Sequence, residues 1–124
     1  MVGGLGGDAP GATVVMIASI LAANLICNAD YHLCHPIHIS DVATTARGCL
    51  WLQAVLCQTF AKKAPAIIVC DLWPASGAMT KELLYEVAAN SIVVTVCGGH
   101  LEGIGAANGN APHGTGLEIR LMAE

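Results

Sequence analysis

The chain has 124 residues, five Lys/Arg against nine Asp/Glu, and a formal net charge of −4. Charged residues make up 11% of it, against about 25% in an average soluble domain, while apolar residues reach 55%. An acidic chain without a Lys/Arg patch is no nucleic-acid binder. So few charges cannot cover an independent domain, so the chain is expected either to lie buried against other segments or to sit in a membrane.

The glycine-rich opening "GGLGGDAPG" leads into "ATVVMIASILAANLIC" (12–27), which predicts a long helix over 11–28. A membrane span needs about 20 mostly apolar residues. This run contains Asn24, is followed by Asn28 and Asp30, and has no basic flank. A buried helix is the expectation, and no charged stretch after Met1 marks a signal peptide.

Next comes "DYHLCHPIHIS" (30–40), with three histidines and a cysteine. It predicts a strand over 35–39. Side chains alternate along a strand, so His32, Cys34, Pro36 and His38 would share one face and His35 the other. A zinc site from His32, Cys34 and His38 lacks ligands from a second segment, because His100 and His113 are isolated and no CxxC pair exists.

Leu52, Leu56 and Phe60 recur every four positions in a second helix, 42–61. Pro65 breaks it, and "AIIVC" (66–70) suits a strand covered on both faces. The following "CDLWPASG" sets Asp71 and Trp73 between a strand and a helix. Asp71 is a candidate general base, a ligand for an amine or cation, or a cap before Pro74. An aromatic face beside a carboxylate suits a cationic ligand.

A third helix is predicted over 78–92, with Leu83, Leu84, Val87 and Ala88 on one face and Lys81, Glu82 and Glu86 towards another. A weak strand at 100–104 precedes "GIGAANGNAPHGTG", which contains neither GxGxxG nor a P-loop. The closing "TGLEIRLMAE" starts a helix that lacks a stop signal. Cys27, Cys49, Cys57, Cys70 and Cys97 lie in apolar stretches, as free thiols in a reducing cytoplasm would.

Strands alternating with helices mean βα units on a parallel sheet. A complete (β/α)8 barrel needs about 250 residues. Residues 1–124 are therefore expected to form one piece of a larger TIM barrel, about three to four units.

Four stretches in order, "YHLCHPIHI", "TTARGCL", "WPASGAMTKELLYEVAANSI" and "TGLEIRLMAE", resemble the C-terminal half of the monomethylamine methyltransferase family. The resemblance implies a barrel enzyme that moves a methyl group from methylamine to the cobalt of a partner corrinoid protein, in methanogenesis from methylamines. It implies a pyrrolysine that binds the amine, with glutamates around it, all upstream of Met1. No cofactor would be bound directly, the full-length protein would be a cytoplasmic homo-oligomer, and these residues alone would give no turnover. Carried over singly, Asp71 falls where the family has a Gln beside the pyrrolysine ring, and Trp73 where it has a Tyr. Both are departures. His38 matches a histidine of the family's Pro-Val-His-Ile, so the resemblance makes Asp71, Trp73 and His38 the substrate-binding residues. Two other readings stay open: a metal-dependent barrel lyase using His32, His38 and Asp71, and a non-catalytic oligomerising module.

Overall fold

The computed structural model describes residues 1–104 and 115–124; the glycine-rich segment between them, with His113, lies outside the described residues. Along the chain run α1 (Ala9–Ala22), continued by a π-helical turn (Ala23–Cys27), β1 (His32–Cys34), α2 (Arg47–Lys62), β2 (Ile68–Leu72), α3 (Lys81–Val96), β3 (His100–Ile104) and α4 (Gly116–Ala123).

The strands pair in parallel in the order β1-β2-β3, with Cys34 opposite Cys70 and Val69 opposite His100. Val2 adds a parallel bridge to His38, so the chain before α1 lies beside the continuation of β1. Neighbours in sequence are thus neighbours in the sheet. Parallel crossovers of one hand then put every helix on the same side. Accordingly α1 packs on α2, α2 on α3, and α3 on α4.

Local chemistry sets the helix ends. Asp8 caps α1 by accepting from the Ala9 N–H, and Pro10 sits in the first turn, where no N–H is needed. Thr80 caps α3. That helix ends at Gly98, whose φ of +86° is open to glycine, and an added Cβ would stand 2.9 Å from the Ala61 Cβ. Thr115 and Glu118 form a reciprocal capping box at the start of α4. Burial raises the Glu118 carboxyl pKa, but bonds from the Thr115 hydroxyl and the backbone offset this and hold it below its ordinary value.

The core lies between sheet and helices. Leu52, Leu56 and Phe60 of α2 meet Ile68 and Cys70 of β2, all at most 1% exposed. The sulfurs here act as small apolar groups. The Cys34 thiol donates to the Met16 Sδ at 3.7 Å, and Cys57 and Cys70 are 3.8 Å apart. The Cys57–Cys70 contact and burial hold the Cys57 thiol well above its ordinary pKa. Burial, then the nearby Asp41, pushes Cys49 up to about 11.

Several expectations shift. The first strand is His32–Cys34, earlier than 35–39, because His35, Pro36 and Ile37 already belong to the loop. The second strand alternates buried and half-buried residues, so only its helix-facing side is covered by the described residues. Helix α1 is not buried as expected: Val14, Val15, Leu25 and Ile26 are all more than half exposed. With its π turn it runs 19 residues, long and apolar enough to cross a membrane by length and composition alone. Core helices pass the same test, and this one packs on α2 and is tied to β1 by a 2.8 Å bond from the His32 Nε2 to the Asn24 Oδ1. Cys27 is exposed rather than embedded in apolar surroundings.

A buried polar relay crosses the helix layer. Asn90 of α3 donates to the Gln53 side-chain oxygen at 3.1 Å, and Gln53 donates to the Thr44 carbonyl at 3.0 Å. Gln53 and Asn90 are fully buried. Substituting Gln53→Leu strips partners from both ends, and a buried polar group left unpaired costs about 1–3 kcal/mol. Chemical denaturation is expected to show a loss of about 3 kcal/mol for that variant. A loss below about 1 kcal/mol would mean that the relay is not satisfied as described.

Candidate functional site

Strand alternation decides which side chains leave the helix layer. His32 and Cys34 face α1, so Leu33 and His35 point to the open side; Ile68, Cys70 and Leu72 face the helices, so Val69 and Asp71 do the same. The register sets Cys34 opposite Cys70, which makes His35 and Asp71 the next facing pair. They meet directly: the His35 Nδ1 donates to the Asp71 Oδ1. Trp73 completes the cluster, its ring edge-on to the His35 ring with centroids 4.9 Å apart.

The cluster sits where the strands run out into loops, and two interactions hold those loops. In the first, the Thr44 N–H donates to the Trp73 carbonyl and the Trp73 N–H donates to the Thr44 Oγ1, both at 2.8 Å. In the second, Glu86 of α3 accepts from the Ala75 N–H at 2.7 Å, the Ser76 N–H at 3.1 Å, and the Thr45 and Ser76 hydroxyls. Glu86 was expected on the helix's polar face. Instead it is half-buried and anchors both loops, a role for which charge-assisted bonds are well suited. Each loop also contains a residue in left-handed conformation, Val42 at φ 49° and Met79 at φ 62°. For β-branched Val42 that geometry costs about 1–3 kcal/mol and persists because the surroundings fix it.

Of the residues singled out from sequence, the structure brings Asp71 and Trp73 together and leaves His38 apart. His38 lies beside Val2, its N–H donating to the Ala43 carbonyl. Its Nδ1 is 2.9 Å from the Asp41 Oδ2, but without the alignment of a hydrogen bond. His32 turns to Asn24, so His32, His38 and Asp71 do not converge. Among the described residues no group of three His, Cys, Asp or Glu side chains could hold a metal ion. His35 was missed as a site residue. Its signal was the alternation itself: "CH" at 34–35 and "CD" at 70–71 occupy equivalent places on neighbouring strands.

An open hollow of about 220 Å³ adjoins the cluster, lined by Leu33, Asp71, Glu102, Gly103 and Ile104. The hollow is a small concave space bordered by a carboxylate that a histidine holds in place. Fold and site thus define an α/β protein whose ligand-facing groups stand at the C-terminal ends of parallel strands, where such sheets bind their ligands.

The family model "Monomethylamine methyltransferase MtmB" matches residues 1–124. Among curated relatives, monomethylamine methyltransferase MtmB1 of Methanosarcina barkeri is 32% identical over 98% of this chain. MtmB2 of Methanosarcina acetivorans and MtmB of Methanosarcina mazei are equally similar, each 32% identical. Two crystal structures, one of the M. barkeri monomethylamine methyltransferase and one of a hydroxylamine complex of MtmB, align with a TM-score of 0.88 at 29% identity. The chain belongs to the monomethylamine methyltransferase family. It spans 27% of the length of the curated relatives it matches.

Glu86→Gln keeps shape but removes the charge that gathers four donors. Bonds to charged groups are worth about 1.5–3 kcal/mol each, and these are partly exposed, so a loss of about 2 kcal/mol is expected. Trp73 fluorescence, read in a Trp51→Phe background, is expected to shift to the red as its loop loosens. An unchanged spectrum with unchanged stability would show that Glu86 does not anchor it.

Proposed function

We propose that this chain is part of a (β/α)8 barrel enzyme that transfers the methyl group of monomethylamine to the cobalt of a cognate corrinoid protein. The sequential parallel order of β1, β2 and β3, with helices on one side, supports a barrel sector. The open side, with His35 and Asp71, is then the barrel interior. Family membership supports the amine and the methyl transfer.

The observation that carries this reading is the Asp71 carboxylate, fixed by His35 beside the Trp73 ring at the strand ends. Methylamine is protonated at neutral pH, and a carboxylate with an indole alongside attracts that cation. His35 limits the rotamers open to Asp71, so less ordering is needed when the amine arrives. Trp73 packs against the His35 ring and so holds the partner of Asp71 in place. Pyrrolysine, which the family resemblance implies as the amine-binding group, would come from outside these 124 residues. The corrinoid belongs to the partner and supplies the methyl acceptor. A cytoplasmic homo-oligomer working in methanogenesis from methylamines fits the same reading.

Exchanging these 124 residues for the matching quarter of the M. barkeri relative gives a whole enzyme in which to test this. The chimera is expected to methylate the corrinoid protein when supplied with monomethylamine. Asp71→Asn in it is expected to lower kcat/KM roughly 30-fold, the equivalent of one charge-assisted bond of about 2 kcal/mol. A folded chimera that transfers no methyl group would sink the assignment, and an Asp71→Asn variant as active as its parent would remove Asp71 from the amine site.

A further inference from the structure

We propose that Glu102 is a specificity-determining residue of this site, accepting an N–H of the bound ammonium group opposite Asp71. This rests on the reading of the site as an amine pocket and adds a residue to it.

The pairing of β2 with β3 carries the argument. Cys70 faces Leu101, but Leu72 faces Ile104, so two residues, Glu102 and Gly103, stand opposite the single Asp71. This is a β-bulge, a device that re-aims side chains and recurs at barrel rims beside active sites. Its effect is visible: Asp71, Glu102 and Gly103 all border the same 220 Å³ hollow. Gly103 keeps that border open, since an added Cβ would meet nothing within 4 Å.

Charge points the same way. Two carboxylates facing each other across paired strands repel. His35 hydrogen-bonds one of them, and the exposed Glu102 has no ion-pair partner among the described residues. A small cation between them relieves the remaining repulsion. The hollow is wider than a methylammonium ion needs, so shape alone does not choose among small amines. Hydrogen bonding does: a carboxylate on each side rewards ligands that carry N–H groups, and a quaternary ammonium has none.

The test uses the chimera described above and its Glu102→Gln variant, with melting curves confirming that both fold. Calorimetric titration with methylammonium chloride is expected to show about tenfold weaker binding in the variant, with a smaller loss for tetramethylammonium. KM for monomethylamine is expected to rise to a similar degree while kcat changes less than about threefold, and Glu102→Asp is expected to recover part of the affinity. Methylammonium affinities equal within twofold overturn the role of Glu102, even in a chimera that transfers methyl groups. Weakening in Glu102→Gln without methyl transfer in the parent supports Glu102 as an ammonium ligand and sinks the enzymatic reading instead. A parent that binds no methylammonium sinks both.

Discussion

Thr44 and Trp73 exchange two hydrogen bonds, main chain to main chain in one direction and hydroxyl from main chain in the other. That pair fixes the loop leaving β1 against the loop leaving β2. Without it, the parallel strands would set the height of His35 and Asp71 but not the position of Trp73 beside them. The pair is itself held from behind, since Gln53 binds the Thr44 carbonyl and Asn90 binds Gln53. Buried polar chains of this kind specify geometry because breaking a link strands its partners, although the Asn90 Oδ1 itself accepts no bond among the described residues. The site therefore rests on a relay that begins two helices away.

The two faces of the sheet follow opposite chemistry. Towards the helices stand Cys34, Ile68, Cys70 and Leu72, all at most 1% exposed, with sulfurs filling the gaps between aliphatic groups. Cysteine suits that side because a protonated thiol packs as a small apolar group; Cys70 and burial hold the Cys57 thiol above its ordinary pKa, and Cys34 and burial do the same for Cys70. Towards the other side stand His35 and Asp71, groups that an apolar core would not tolerate unpaired. One strand thus serves stability and ligand contact at once, at alternate residues.

Membership of the monomethylamine methyltransferase family gives this arrangement a context. In the proposed reading, the Asp71 carboxylate adds charge to hydrogen bonding at the strand ends. Its placement beside a histidine tempers that charge without removing it. The exposed apolar residues Val14 and Val15 of α1 and Leu25 and Ile26 of its π-helical turn belong to a chain that spans 27% of its relatives' length.

How much of this was legible from sequence differs by feature. Helix–strand alternation, the core residues Leu52, Leu56 and Phe60, and the place of Trp73 after a strand were readable, because each depends on local period or adjacency; Asp71, expected after the strand, lies within β2 (Ile68–Leu72). The histidine beside Asp71 was not readable. His38 drew attention through a motif, whereas His35 became the partner of Asp71 through the register of Cys34 against Cys70. Glu86 looked like one more charge on a solvent face, and only the packing of α3 against two loops gave its carboxylate four donors. Sequence by itself determined the order of the elements and the alternation of side chains along each, since these follow from backbone period. Tertiary structure alone decided which faces meet, because register and loop closure are set by contacts between residues some 30 to 40 positions apart, such as Trp73 with Thr44 and Thr45 with Glu86.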